Sequence, residues 1–189
     1  MVWNMPYASS LLSRFLRFLA LRFRSSAQRK HRGTAEATLR AARATMKRKK
    51  YCVVSTVGAD GPAARVLQPF PAGDDFEVWF GTSPASRKVT ELRHNDAATL
   101  IYEDDARSAC VVLVGNMQVV DAIDERRKRF MRLWWAFFPD GPEGDDYVLL
   151  RFVPHRIEVW DASRGITPAP FGLRAARLSR RDGTWGLAA

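Results

Sequence analysis

Three consecutive stretches decide the fold class of this chain: Tyr51-Cys52-Val53-Val54-Ser55-Thr56-Val57, the turn Gly58-Ala59-Asp60-Gly61-Pro62, and Ala63-Ala64-Arg65-Val66-Leu67-Gln68-Pro69. The first is apolar and β-branched, the second is made of turn formers, and the third alternates. Together they read as a β-hairpin. Alternation puts Arg65 and Leu67 on one face of the second strand and Val66 and Gln68 on the other. Strand patterns continue outward over Asp75 to Phe80, Ala97 to Tyr102, Ala109 to Val120, Tyr147 to Val153 and Arg156 to Trp160. Pro154-His155 separates the last two, and Gly115 inside the longest marks a bulge or bend. Phe171 to Leu178 and Thr184 to Leu187 read as a closing hairpin around Arg181-Asp182-Gly183. Helical spacing covers Ala35 to Arg48 with Thr34 as its cap, Ser86 to Arg93, and Ile123 to Phe137. Strands in meander order with short helices predict a mainly β fold: a six-stranded antiparallel barrel with flanking helices.

The net charge of +10 over 189 residues belongs to one end of the chain. Residues 1–50 hold thirteen Lys/Arg and a single acid, Glu36, whereas residues 51–189 hold seventeen Lys/Arg and nineteen acids. The domain itself is close to neutral, so no nucleic-acid partner is expected. Three units follow: a basic amphipathic extension over 1–34, a barrel domain over 35–165, and a C-terminal hairpin or tail packed on the barrel over 166–189. In the extension Leu11, Leu12, Phe15, Leu16, Phe18, Leu19 and Phe23 lie beside Arg14, Arg17, Arg22 and Arg24. A transit peptide for a mitochondrion or other organelle, a segment meeting an anionic membrane or a nucleic acid, and an unstructured extension all fit it. No run is long enough to span a bilayer. The expected location is cytoplasmic unless the extension targets the chain, and membrane contact is open only to residues 1–34.

Cys52 and Cys110 sit in apolar strand runs and read as reduced core residues. His31, His94 and His155 are too dispersed to ligate a metal, and no nucleophile motif stands out. No catalytic side chain is assigned. Trp134, Trp135, Phe137 and Phe138 read equally as core packing, a dimer seam or a wall against a ligand.

One stretch does carry chemistry. Gly81-Thr82-Ser83-Pro84-Ala85-Ser86-Arg87-Lys88 leaves a strand, turns, and opens a helix with two adjacent cations. Hydroxyls and backbone N–H groups at a helix start, with Arg87 and Lys88 in reach, form a phosphate site. Arg65, expected on the neighbouring strand, adds a third cation. Taken alone, Ser86-Arg87-Lys88 also reads as a solvated helix start.

These elements in their order resemble the FMN-binding split-barrel superfamily that includes pyridoxamine 5′-phosphate oxidase, and within it the general stress protein branch. The likeness runs from about Ala35 to Asp161. It rests on Asp60-Gly61-Pro62 with Ala64-Arg65-Val66-Leu67, on Phe80-Gly81-Thr82 with Ser86-Arg87-Lys88, and on Leu92-Arg93-His94-Asn95-Asp96. Val112-Leu113-Val114-Gly115, Trp135 to Gly141, and Val148 to Phe152 running on to Trp160-Asp161 complete it. The resemblance implies a split barrel and a homodimer with FMN at the interface, FAD or a deazaflavin being alternative occupants. It further implies an oxidoreductase acting on an unidentified small molecule or electron donor, with a non-catalytic flavin carrier or a cofactor-less interaction module as alternatives. Carried over, Arg65 and Lys88 pair the phosphate with Ser86 or Arg87 assisting. Thr82 and Ser83 lie by the ribityl–phosphate end, Gly81 counts among the cofactor-binding residues, and the backbone of Val66, Leu67 and Gln68 runs beside the ring. Cys110 or a neighbour stands where the oxidases carry a Gln, and Phe171 to Ala189 has no counterpart of their substrate-binding segment.

Overall fold

A computed structural model describes residues 11–188. Four α-helices, α1 (Leu11–Arg29), α2 (Ala35–Arg48), α3 (Arg87–His94) and α4 (Ile123–Arg129), accompany eight strands. The strands are β1 (Cys52–Gly58), β2 (Gly61–Leu67), β3 (Val78–Thr82), β4 (Ala97–Asp104), β5 (Ala109–Val120), β6 (Val148–Asp161), β7 (Ala176–Arg181) and β8 (Thr184–Leu187). Every pairing is antiparallel. With four helices on an eight-stranded sheet the fold is mixed α/β, not the mainly β, six-stranded one expected. Among the described residues no helix is long and apolar enough to cross a membrane.

The sheet runs β2-β1-β4-β5-β6-β7-β8, and β3 pairs with β6 off this path. This is not a meander. Among the described residues β2 bonds only to β1, so β3 is not its neighbour, contrary to expectation. The departure originates in β6. Read as two strands because Pro154 has no N–H, residues 148–161 form one strand along the whole of β5. The register shifts between Val114 and Gly115, which pair with Arg156 and Pro154 and leave His155 as the bulged residue. Gly115 makes this possible, because a Cβ there would collide with the Val153 carbonyl and come within 2.7 Å of Pro154 Cα. Beyond the bulge β6 changes partner: residues 148–152 take β3 and residues 156–159 take β7.

Packing explains the other differences. α2 follows the sequence pattern: Ala37 N–H donates to the capping Thr34 hydroxyl at 3.2 Å, and Ala37, Thr38, Ala41, Ala42, Thr45 and Met46 are buried. The helix expected to reach Phe137 instead stops at Arg129, with Phe130 and Met131 extended before a 3-10 turn over Arg132–Ala136. That break gathers Phe130, Trp134 and Phe138 around the fully buried Tyr147, at centroid distances of 5.4, 5.5 and 5.0 Å. β3 begins at Val78, not Asp75, because Phe76 adopts φ 65° and drives its ring into the core, where Arg43 lies 4.2 Å from the ring centroid. The first closing strand starts at Ala176, after a turn over 171–173.

Gly115→Ala is expected to cost about 2–4 kcal/mol of stability, the collision falling on backbone that cannot yield. Gly186→Ala, with open space around it, should stay within about 0.5 kcal/mol. Urea unfolding of the two variants checks both.

Candidate functional site

The buried carboxylate of Glu91 organises the site. It lies on the inward face of α3 beside the core residues Val89 and Leu92. Arg65, on the inward face of β2, reaches it with Nη2 2.6 Å from Oε2, and Arg87 one turn earlier bonds Oε1 at 3.1 Å. The Thr56 hydroxyl from β1 donates to Oε2, and Arg65 Nη1 donates to both Thr56 Oγ1 and the Ala63 carbonyl. The Thr56 hydrogen bond most of all, then those of Arg65, hold the Glu91 carboxyl below its ordinary range against the upward push of burial. Gly58 belongs to the same design, since a Cβ there would stand 3.3 Å from Glu91 Oε1. Together with the β1–β2 turn, the Glu91 side of α3 borders a cleft of about 590 Å3.

Positive charge exceeds what Glu91 can neutralise. Lys88 is half-buried, and burial first, then the charge of Arg65, push its ammonium below the ordinary value, with Glu91 only partly opposing. Arg65, Arg87 and Lys88 thus carry three charges around one carboxylate. Arg65 spends three of its five N–H donors inside the protein, leaving two. Ser86 holds the N-cap position of α3 without a side-chain cap bond, and its hydroxyl lies 3.4 Å from that of the buried Thr82 at the end of β3. A net surplus of two positive charges, two adjacent hydroxyls and a helix start without a side-chain cap suit a phosphate dianion.

The ten residues picked from the sequence do not all meet. Arg65, Arg87 and Lys88 converge through Glu91, and Thr82, Ser83 and Ser86 share the turn into α3, where Ser83 accepts from Ala85 N–H at 3.3 Å. Gly81 is a packing glycine: a Cβ would collide with the Trp134 ring and come within 2.9 Å of Tyr147. Leu67 packs on the core, whereas Val66 faces outward and is 64% exposed. Gln68, past the end of β2, lies in a separate cleft of about 550 Å3 with Lys47, Lys50, Phe70 and Tyr102. Sequence reasoning missed Glu91, Thr56 and Gly58. The signal available was an acid four residues after Arg87 on the apolar side of a helix.

Among the described residues no group of His, Cys, Asp and Glu side chains is arranged to hold a metal ion. Both cysteines are free, and burial pushes the Cys52 thiol up to about 11. A thiol so protonated is a poor nucleophile.

The sequence model of the family described as pyridoxamine 5′-phosphate oxidase like matches residues 38–181. The chain belongs to that family. The matched span takes in the sheet from β1 to β7 and every residue of the phosphate-suited cluster. Solved structures agree in fold. General stress protein 26 from Bacillus anthracis is 19% identical, with a TM-score of 0.55, over 64% of this chain and 91% of its own. A Clostridium acetobutylicum protein related to general stress protein 26 is 18% identical, with a TM-score of 0.63, over 77% of this chain and 95% of its own. A pyridoxamine 5′-phosphate oxidase-related, FMN binding protein from Nostoc punctiforme is 16% identical, with a TM-score of 0.58, over 82% and 94%. None of the curated proteins matches the chain in sequence. At such identities the likeness is one of fold: the split barrel of this family.

Glu91→Gln is expected to lower stability by about 2 kcal/mol at pH 7, since Arg65 and Arg87 lose their shared anion. A carboxyl held below its ordinary value of about 4.5 stabilises the fold above that pH and ceases to do so as pH falls through its lowered value. The gap between wild type and Glu91→Gln should therefore close progressively as pH falls below about 4.5, as followed by thermal unfolding across pH.

Proposed function

We propose that this protein binds FMN between two copies of itself and works as a flavin-dependent oxidoreductase. The observation that carries the proposal is the net positive charge around Glu91, which suits a dianion such as the phosphate of a flavin. In this reading Arg65 and Lys88 bind the phosphate through charge-assisted hydrogen bonds, Arg87 assists, and the Thr82 and Ser86 hydroxyls donate to its oxygens. Gly81 and Ser83 shape the strand-to-helix turn beside it. The backbone of Val66 and Leu67, on a strand that is at the sheet edge among the described residues, and of Gln68 just beyond its end, orients the ring. Once bound, the isoalloxazine supplies the redox chemistry, while the chain's residues position it and exclude water.

A second copy is favoured by the outer face of the sheet. Val66, Val53, Ile101 and Val112 lie in register across β2, β1, β4 and β5, with Tyr51 and Val57 exposed on the same side. An apolar row of this kind, continuous with the strand that bears Arg65, suits the same row on another copy.

The colour of the purified protein is the first test. A yellow preparation that releases FMN on denaturation supports the proposal, and a colourless one that fails to take up added FMN ends it. Reduction of the bound flavin by NADH or NADPH without oxygen marks an enzyme; a flavin that no donor reduces marks a carrier. Lys88→Ala should weaken FMN binding by about 1.5–3 kcal/mol, and Arg65→Ala with Lys88→Ala by roughly twice that, measured by fluorescence titration. Val66→Glu should halve the mass seen by sedimentation equilibrium and reduce flavin occupancy with it.

A further inference from the structure

The basic helix α1 takes no part in the site just described. It is 19 residues long, about 28 Å, and buries no residue. Its C-terminal end is tied to the domain. The Thr167 hydroxyl donates to Ala27 O at 3.0 Å, Arg32 N–H donates to Gly165 O at 2.8 Å, and Thr167 N–H donates to His31 Nδ1 at 3.1 Å. Phe23 meets Phe171 edge-on at 5.8 Å, and Phe171 in turn meets Trp160 at 5.0 Å. Gly165 permits this junction: its φ is 72°, and a Cβ there would stand 2.8 Å from Lys30 O. The helix is therefore a fixed attachment whose forward part projects from the domain.

That forward part is amphipathic in a particular way. Leu12, Phe15, Leu16, Leu19 and Phe23 recur at i, i+3, i+4, i+7 and i+11, a single face that is solvent-exposed, with Phe15 at 57% and Leu19 at 44%. Arg14, Arg17 and Arg24 line the opposite flank, and Arg22 lies over the Phe18 ring at 5.7 Å. The helix contains no acid, and among the described residues none of Arg14, Arg17, Arg22 and Arg24 is in an ion pair. Two such helices would repel one another, which disfavours a second copy as the occupant of this face. A duplex nucleic acid would meet the arginines but leave Leu12, Phe15, Leu16 and Leu19 in water. A bilayer with anionic headgroups satisfies both: apolar side chains enter the acyl boundary while the guanidiniums stay among the phosphates.

We propose that α1 is an interfacial helix that docks the protein, by Leu12, Phe15, Leu16 and Leu19 with Arg14 and Arg17 alongside, on an anionic lipid bilayer. The helix lies in the plane of the interface. It does not span.

The test is co-sedimentation of the full-length protein with vesicles of phosphatidylcholine alone and of phosphatidylcholine with about 30% phosphatidylglycerol. The protein should bind the anionic vesicles, release them as salt rises, and bind the neutral ones at least tenfold more weakly. Each arginine near an anionic surface is worth about fivefold in affinity, so Arg14→Gln with Arg17→Gln should weaken binding about 25-fold. Phe15→Ser with Leu19→Ser should remove it while leaving the melting temperature and flavin content unchanged, both side chains being exposed. The Arg pair, which removes no apolar contact, provides the control for misfolding. Failure to bind anionic vesicles, equal binding by all three proteins, or tighter binding to duplex DNA than to vesicles overturns the proposal. So does a change of oligomeric state in the Ser variant without vesicles, which would make this face a protein contact.

Discussion

The pairing of β5 with β6 is the constraint on which the remaining structure depends. Two strands of twelve and fourteen residues run together along their whole length, and the single irregularity between them sits at Gly115 and Pro154. An uninterrupted β6 would offer its far edge to one partner. Bulged at His155, it offers that edge to two, β3 on one side of the bulge and β7 on the other. β3 then delivers Thr82 and the turn into α3, and α3 packs against β1, whose hairpin partner carries Arg65. The phosphate-suited cluster is thus assembled from α3 and from β2 and β3, which do not pair with each other.

Glu91 is what keeps that assembly together electrostatically. Arg65 and Lys88 repel each other, and burial makes the Lys88 charge costlier. A buried carboxylate held by the Thr56 hydroxyl offsets part of that repulsion without cancelling it. Full neutralisation would leave no attraction for an anionic ligand, and none at all would leave two half-buried cations unsupported. The intermediate state suits a binding site: folded without its ligand and still attractive to it.

Much of this was legible in the sequence where local chemistry decides. The β1–β2 hairpin announces itself by its turn residues, α2 by its Thr cap and small apolar face, and the turn into α3 by Ser and Pro before two cations. What the sequence hid was non-local. Pro154 reads as a strand end because nothing adjacent reveals that Gly115 opposes it. The aromatic run after Arg129 keeps a helical period although Tyr147, distant in sequence, pulls Phe130 and Trp134 out of it. Of the candidate site residues, Arg65, Arg87 and Lys88 come together as cations should, while Gly81, Val66 and Gln68 answer to packing, to the outer face and to another cleft. Glu91 had only the local signal of an acid four residues after Arg87, while the partners that give it its role, Thr56 and Arg65, come from distant β1 and β2.

Gly81 under the Trp134 ring carries a consequence for how this protein can change over generations. The strand that leads into the cation cluster and the aromatic cluster behind it occupy one volume, and neither can be altered alone. A side chain at 81 requires a smaller ring at 134; a smaller ring at 134 loosens Phe70, Phe130 and Phe138, which touch it edge-on. A larger residue at 81 therefore depends on residue 134, and also on Tyr147, whose ring a Cβ at 81 would approach to 2.9 Å. A glycine that looked at first like part of a ligand cradle is better understood as one half of an evolutionary lock.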